Sequence, residues 1–203
     1  MNKGVLLIVS GPSGAGKGTV CSEYIKRRPE TFLSVSATSR SPRPGDEDGV
    51  TYFFKTRDEF EKLIADDGLL EYAEFCGNYY GTPKAPALRA MEEGRDVILE
   101  IEVQGAYKVK EKCPNAVLVF VLPPSPEILR ERLTGRGTES PEVIEKRIGE
   151  AHREIMRGAN YDYIIVNDKL GLAADKLETI ADAEKIRVCR NKEYLKNVWN
   201  LKE

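Results

Sequence analysis

The sequence predicts an α/β fold built on a parallel sheet, because buried-strand and helix patterns alternate along the chain. Gly4 to Ser10 is a continuous apolar run rich in β-branched residues, as in strands covered on both faces. A glycine-rich loop and an amphipathic helix from Thr19 to Arg28 follow it. Three further buried-strand patterns, separated by helical periodicity, occur at 97–103, 116–122 and 163–167. This order favours parallel strands joined by right-handed crossovers.

Residues 34–87 interrupt this alternation and predict a small, mostly β insert. The segment is rich in Tyr, Gly and Pro among alternating polar residues, as in "SVSATSRSPRPGDEDGVTYFF" and "YAEFCGNYYGTP". One helix is expected near Arg57 to Asp66. On composition alone, an ordinary surface excursion is the alternative.

Residues 125–158 predict a second, helical insert. The tripeptide Ser-Pro-Glu occurs at 125–127 and again at 140–142, and each copy offers a Ser N-cap, a Pro in the first helical position and an acid in the first turn. Gly135 and Gly137 between the two helices predict a hinge. The remaining segments, 1–33, 88–124 and 159–203, are expected to form the core.

Charge and cysteine content argue against several classes of function. The chain has 31 Lys and Arg against 33 Asp and Glu, so no overall basic field indicates a nucleic-acid partner. Its four cysteines are widely spaced and His152 is its single histidine, which favours free thiols over zinc or disulfides. The apolar run at 5–9 is too short for a signal peptide or a membrane span. We therefore expect a cytoplasmic protein with no membrane or nucleic-acid partner.

The stretch "VSGPSGAGKGTV" at 9–20 predicts a phosphate-binding loop. Gly11, Gly14 and Gly16 let backbone N–H groups turn toward a phosphate, and the following helix adds its positive amino end. Lys17 supplies a cation for the β- and γ-phosphates of a nucleotide. A glycine-rich turn with an exposed lysine is the alternative, but the flanking strand and helix favour nucleotide binding.

Gly18 departs from the usual loop pattern, in which Ser or Thr follows the lysine and ligates magnesium. Mg²⁺ readily keeps several waters, so we expect phosphate oxygens and water to hold it, with Thr19 or Glu100 contributing through water. Glu100 and Glu102 in "VILEIEVQG" are expected on one face near the carboxyl end of a strand, where open α/β sheets bind ligands. The alternative is that Glu100 and Glu102 are two charges at a sheet edge with no role in binding.

Arginines gather in the two inserts. Arg40 and Arg43 frame a Pro-rich turn of the first, and the second carries Arg130, Arg132, Arg136, Arg147, Arg153 and Arg157. Guanidinium groups bind phosphate oxygens well. For any single arginine, an ion pair on a solvated helix face is an equally good explanation. Arg136 lies between two glycines and is the strongest candidate of the second group. Phosphoryl transfer would use such cations, and a phosphate acceptor, already anionic, needs no general base.

These motifs resemble those of the guanylate kinase family. The resemblance runs through the whole chain, in order, as "SVSATSRSPRPGD", "LLEYAEFCGNYYGTP", "VILEIEVQGA", "LTGRGTES" and "YIIVND". It implies a single domain, 1–203, with a P-loop kinase fold, a GMP-binding insert at 34–87 and a helical lid at 125–158. It also implies transfer of the γ-phosphate of ATP to GMP or dGMP in purine nucleotide metabolism, with Mg²⁺ as cofactor and no obligate protein partner.

The resemblance further implies roles for individual residues. The residues expected around GMP are Ser36, Arg40, Arg43, Asp46, Tyr52, Glu71, Tyr80, Thr82 and Glu102. Those expected around ATP are Gly11, Pro12, Ser13, Gly14, Ala15, Gly16, Lys17, Gly18, Thr19, Asn167 and Asp168. The expected catalytic cations are Lys17, Arg40, Arg132, Arg136 and Arg147. The sequence departs from the family pattern at four positions. Gly18 replaces the Ser or Thr of many members, Asp46 stands at a position that is often Glu, and Glu100 and Glu102 can both be Asp in other members.

Glu71 has a chemical reason to read the base. A carboxylate accepts from both guanine N1–H and the 2-amino group, whereas adenine presents an acceptor at N1 and has no 2-amino group. An ordinary exposed acid is the alternative for this position. Two other functions stay open: a non-catalytic guanylate-kinase-like interaction module, and a related kinase for another phosphorylated acceptor. The presence of Lys17 with the arginines and the GMP-site residues favours the enzyme.

Overall fold

The computed structural model describes residues 3–135 and 141–199. Both ranges contain strands and helices. In chain order the elements are β1 (Leu6–Ser10), α1 (Lys17–Arg27), β2 (Phe32–Leu33), β3 (Ala37–Thr38), β4 (Phe53–Phe54), α2 (Arg57–Ala65), β5 (Leu69–Phe75), β6 (Asn78–Pro83), α3 (Lys84–Glu92), β7 (Val97–Glu100), α4 (Val103–Lys112), β8 (Val117–Leu122), α5 (Pro126–Thr134), α6 (Pro141–Arg157), β9 (Tyr163–Val166), α7 (Leu170–Lys185) and α8 (Lys192–Trp199).

The central sheet has five strands in the order β2-β7-β1-β8-β9, and every neighbouring pair is parallel. β1 lies in the middle and is buried on both faces, as its continuous apolar pattern predicts. Leu7 and Val9 pack on the side covered by α1 and α7, while Leu6 and Ile8 pack on the side of α3 and α4. The predicted α/β fold with a parallel sheet is confirmed.

Two details of this sheet differ from the sequence-based expectation. β2 is an unpredicted edge strand of two residues, too short to produce a hydrophobic pattern. β7 ends at Glu100, not at Val103 as predicted, because its paired register with β1 ends at Val9 and Glu100. Glu102 becomes the N-cap residue of α4, so it does not share a strand face with Glu100.

A second sheet, ordered β4-β3-β6-β5, lies within residues 34–87. It has its own small hydrophobic cluster of Ala37, Phe60 and Leu69, with Phe60 supplied by α2. The predicted helix near 57–66 is α2, whose first turn is fixed by a capping box between Thr56 and Glu59. α3 begins at Lys84 and therefore crosses the predicted boundary between this insert and the core.

The described elements of residues 125–158 are two helices, α5 and α6, which pack on each other. The Ser125 hydroxyl accepts from the Ile128 backbone N–H at 3.3 Å, which is the predicted N-cap of α5. The helices share an apolar cluster formed by Leu129, Leu133, Ile144, Ile148 and Ala151. The second predicted cap, Ser140, and the hinge glycine Gly137 lie outside the described residues.

Two further features of the fold are the state of the cysteines and the character of the helices. Cys21, Cys76, Cys113 and Cys189 are all free thiols. Within residues 3–135 and 141–199, we find no helix whose length and apolar content would let it cross a membrane.

Candidate active site

The predicted phosphate loop joins β1 to α1 and packs tightly under the carboxyl ends of neighbouring strands. Gly11, Gly14 and Gly16 have φ values of 146°, 87° and 83°, a region that L side chains rarely adopt. A Cβ on Gly11 would lie 2.1 Å from the Val121 carbonyl oxygen of β8. The loop can therefore follow this path only with glycine at these positions.

Lys17, the first residue of α1, folds back over the loop. Its ammonium group donates to the carbonyl oxygens of Gly11 at 2.6 Å and Pro12 at 3.2 Å. Burial lowers the pKa of Lys17, and the nearby charges of Glu100 and Glu154 oppose that shift. The ammonium group is thus held against two carbonyl oxygens of the loop.

A cavity of about 410 Å³ lies between the insert sheet and the amino end of α4. It brings together most of the residues expected around GMP, although they come from distant parts of the chain. Its lining includes Ser36, Arg40, Arg43, Tyr52, Glu71, Tyr80, Glu100 and Glu102. Gln104 and Gly105 are among the further lining residues, and sequence reasoning singled out neither.

Glu71 and Thr82 form a buried pair at this cavity. Their exposed fractions are 8% and 1%, and the Thr82 hydroxyl donates to Glu71 Oε1 at 2.8 Å. Burial raises the pKa of Glu71, while the Thr82 hydrogen bond and the charge of Lys108 oppose the increase. Glu71 is therefore not an ordinary exposed acid. One of its oxygens is fixed by Thr82, and the carboxylate lines a space large enough for a base.

Arg40 lines the same cavity and is held in place by Asp46. The guanidinium donates to Asp46 Oδ2 at 2.8 Å, and the same carboxylate oxygen accepts from the Arg43 backbone N–H at 2.8 Å. These two contacts lower the pKa of Asp46, so it stays ionised beside the arginine. Arg40 also lies 5.4 Å from the ring centroid of Tyr52. Asp46 thus orients Arg40 and the Arg43 backbone, and it stands behind the cavity wall.

A second cavity, of about 350 Å³, borders the phosphate loop. Its lining residues are Gly14, Gly16, Thr19, Arg132, Asn167, Asp168 and Leu170. The Asn167 side-chain amide donates to the Ala15 carbonyl at 2.9 Å, and Arg132 donates to the Asn167 carbonyl at 2.9 Å. The expected ATP-side residues at 167 and 168 therefore lie against the phosphate loop.

The two described lid helices both contact the phosphate loop. From α6, Arg147 donates to the Ser13 hydroxyl. From α5, Leu129 and Leu133 cover Gly14, where an added Cβ would lie 2.9 Å from Leu129 Cδ1. Arg130, by contrast, pairs with Glu145 on the lid surface. Arg136 lies outside the described residues.

Glu100 stands beside Gly18. A Cβ built on Gly18 would lie 3.3 Å from Glu100 Oε2 and 3.5 Å from Oε1, so this carboxylate is next to the place of the usual loop hydroxyl. Carboxylate oxygens suit Mg²⁺, which typically takes one or two of them together with phosphates and water. The described part of the chain has no cluster of three or more metal-ligating side chains. Thr19, the other residue expected near the metal, lines the second cavity.

Glu154 of α6 is a site residue that sequence reasoning missed. It is half-buried, and burial raises its pKa, while the charge of Lys17 lowers it and that of Glu102 raises it. An acid of α6 therefore lies close enough to Lys17 and Glu102 for their charges to affect its ionisation. Its position two helical turns after Arg147, on the same face of the helix, is the pattern that could have identified it.

A phosphate loop at the carboxyl edge of a parallel sheet, flanked by a small β insert and a pair of lid helices, defines a P-loop kinase. A family model described as guanylate kinase matches residues 3–184. The chain is 54% identical over 189 residues to a guanylate kinase of Desulfitobacterium hafniense, covering 93% of this chain and 94% of that protein. The chain belongs to the guanylate kinase family.

Two further comparisons agree with this assignment. A guanylate kinase of Caldanaerobacter subterraneus is 51% identical over 195 residues, which cover 96% of this chain and 95% of that protein. The crystal structure of a guanylate kinase from Anaplasma phagocytophilum superposes with a TM-score of 0.77 at 32% identity and covers 100% of this chain and 98% of its own. The predicted family, fold and kinase activity, with ATP as co-substrate, are confirmed, and the two other functions find no support.

Proposed function

We propose that the two cavities hold the two nucleotides of the guanylate kinase reaction, with GMP or dGMP in the cavity beside Glu71 and ATP beside the phosphate loop. The observation that carries this assignment is the buried Glu71–Thr82 pair. Thr82 occupies one carboxylate oxygen, and the remaining acceptor capacity faces the cavity. Guanine N1–H and its 2-amino group are donors that match it, whereas adenine N1 would face a carboxylate with no proton between them.

Ser36 and Glu102 line the same cavity and are proposed to complete the contacts to guanine. At its other side, Arg40 and Arg43 are proposed to bind the GMP phosphate, with Tyr52 and Tyr80 beside them. The two tyrosine rings meet edge to face at 6.0 Å, and Arg40 is already anchored by Asp46. Because these groups are fixed before the ligand arrives, less side-chain freedom is lost on binding.

In the proposed transfer, an oxygen of the GMP phosphate attacks the γ-phosphorus of ATP, and the bond from that phosphorus to the β-phosphate oxygen breaks. The products are ADP and GDP. The attacking oxygen is already anionic, so no general base is required. Lys17 is proposed to neutralise charge on the transferred group, and Arg132 and Arg147 approach the same loop from the lid. Arg136 is proposed for the same role from the family pattern.

Mg²⁺ is the cofactor we propose, and Glu100 is the residue proposed to support it, with Thr19 contributing through water. Glu100 takes this role because it stands beside Gly18, where no side chain offers a hydroxyl. When bound, the ion would neutralise phosphate oxygens and orient them for in-line transfer.

We also propose the division into a core at 1–33, 88–124 and 159–203, a GMP-binding insert at 34–87 and a lid at 125–158. Each insert has a hydrophobic cluster of its own, which supports this division. Cytoplasmic location and the absence of nucleic-acid or membrane partners remain proposals from composition, and the absence of an obligate protein partner remains one from the family resemblance.

Release of ADP with a panel of acceptors tests the assignment. Coupled assays with GMP, dGMP, AMP, UMP and ribose 1,5-bisphosphate should show efficient turnover with the two guanine nucleotides only. Turnover with ribose 1,5-bisphosphate or UMP at the rate seen with GMP would show that the cavity beside Glu71 does not select guanine.

A further inference from the structure

We infer that Gly105 is a positioning residue for base selection, because its missing side chain leaves the space in which the Glu71 carboxylate stands. Gly105 lies in the first turn of α4, in the core, whereas Glu71 belongs to β5 of the insert. This inference rests on the proposed recognition of guanine by Glu71. It adds that Gly105 of α4 determines the position of the Glu71 carboxylate.

Any side chain at position 105 would force the Glu71 carboxylate to move. A Cβ built on Gly105 would lie 2.8 Å from Glu71 Oε2, 3.1 Å from Cδ and 3.4 Å from Cγ. Real Cβ atoms essentially never approach a heavy atom within 3.0 Å, so the carboxylate would have to move toward ordinary contact at 3.4 Å or beyond. All three atoms belong to the group that is proposed to meet the base.

The carboxylate is also held on its other side. Oε1 accepts from the Thr82 hydroxyl at 2.8 Å, and Thr82 is itself 1% exposed on β6. Oε2 then rests over the first turn of α4. Glu71 is thus located between a hydroxyl and a glycine, and a displacement away from α4 would disturb the Thr82 hydrogen bond as well.

The helix and the strand cannot simply separate to make room. Lys108 and Lys112 of α4 donate to the backbone carbonyls of Tyr72 at 2.8 Å and Leu69 at 3.0 Å. These two carbonyls flank Glu71 along β5. An added methyl group at 105 would therefore act mainly on the carboxylate, which is the most easily displaced group in contact with it.

Backbone geometry does not explain the glycine. Gly105 does not have the positive φ that Gly14 and Gly16 have, and it occupies an ordinary helical position. Alanine is a better helix former than glycine at such a position. The glycine therefore costs helix stability, and the close approach of Glu71 is the feature that accounts for it.

Gly105→Ala tests the inference, with Gly171→Ala as the matched control. Gly171 also lies in a first helical turn, that of α7, where an added Cβ would meet only Arg27 Nη2 at 3.6 Å. Gly105→Ala should raise the KM for GMP about 10-fold to 100-fold, as expected for a reading group displaced by a fraction of an ångström, with KM for ATP unchanged. Gly171→Ala should change neither constant.

A double-mutant cycle with Glu71→Ala separates positioning from packing. Without the carboxylate, Gly105→Ala should have no further effect on KM for GMP and should not lower Tm. Equal effects of Gly105→Ala in both backgrounds would overturn the inference. If Gly105→Ala alone fails to fold, a folded Glu71→Ala/Gly105→Ala protein supports the inference and an unfolded one overturns it.

The same cycle distinguishes the inference from the proposed function. If Glu71→Ala alone leaves KM for GMP unaltered, Glu71 does not read the base, and both proposals fail. If Glu71→Ala raises KM for GMP while Gly105→Ala does not, the reading of guanine stands and only the role of Gly105 is wrong.

Discussion

Replacing Glu71 with glutamine should remove most of the preference for GMP over AMP. The change keeps the volume of a side chain that is 8% exposed, but it removes the charge and replaces one acceptor oxygen with a donor. Thr82 donates to Oε1 at 2.8 Å, so the other oxygen is the main group left for guanine. In the variant, an amide N–H faces at least one guanine donor.

The size of the effect follows from these contacts. Losing one hydrogen bond to a buried charge costs about 2 kcal/mol, and leaving one guanine donor unpaired adds about 1 kcal/mol. The sum of about 3 kcal/mol corresponds to a loss of about 10²-fold in kcat/KM for GMP. AMP should not lose in the same way, because adenine N1 can accept from the new amide N–H. The GMP-to-AMP ratio of kcat/KM should therefore fall by at least the same factor.

Steady-state assays of ADP release, varying GMP or AMP at saturating ATP, measure this ratio. Glu74→Gln is the matched control: Glu74 lies on the same strand, its side chain is 49% exposed, and its ion pair with Arg57 lies outside the cavity. That variant should behave as the unaltered protein does, and KM for ATP should stay constant in both. An unchanged GMP-to-AMP ratio in Glu71→Gln would show that the base is read elsewhere.

Three further outcomes are expected. Because burial raises the pKa of Glu71 and only the ionised form accepts both guanine donors, KM for GMP should rise as pH falls through that pKa. Glu71→Gln is the control, since it lacks this carboxyl group but binds the same titrating substrate. If KM for GMP depends on pH in the same way in both proteins, the assignment is refuted. Lys17→Ala should lower kcat by about 10²-fold to 10³-fold, because it removes a cation that stabilises the transferred group. It should not lower Tm, since the Lys17 ammonium group bonds only loop carbonyls in the described structure. A near-normal kcat would exclude a role of Lys17 in transfer. Glu100→Gln should weaken Mg²⁺ binding by about 10-fold, as measured by titration calorimetry in the presence of a non-hydrolysable ATP analogue. An unaltered affinity would show that Glu100 does not support the metal.

The elements that sequence reasoning found are those with strong local patterns. β1 and β8 are buried on both faces and read as continuous apolar runs, and α2 carries a capping box in the sequence itself. β2 has two residues and gave no pattern to find. The true end of β7 depends on how far its pairing with β1 extends, which is a property of two strands and not of one.

The site divides in the same way. Gly18 was recognised as a departure from the loop pattern, but its proximity to Glu100 appears only when β7 lies beside β1. Glu71 was expected from the family resemblance and from the chemistry of guanine, whereas its burial and the Thr82 bond required the fold of β5 on β6. Nothing in the sequence marked Gly105, because its contact with Glu71 forms only when α4 packs beside β5.

The sequence by itself determined the phosphate loop, the parallel central sheet, the two inserts and the chemical type of each side chain expected at the site. These properties are encoded in contiguous residues, where glycine conformation, apolar periodicity and charge act locally. Tertiary structure decided which groups meet: Arg147 reaches Ser13 across 134 residues, and the Glu71 carboxylate rests on Gly105. Such contacts depend on how the inserts pack against the sheet, because a displacement of an ångström decides whether two side chains bond or clash.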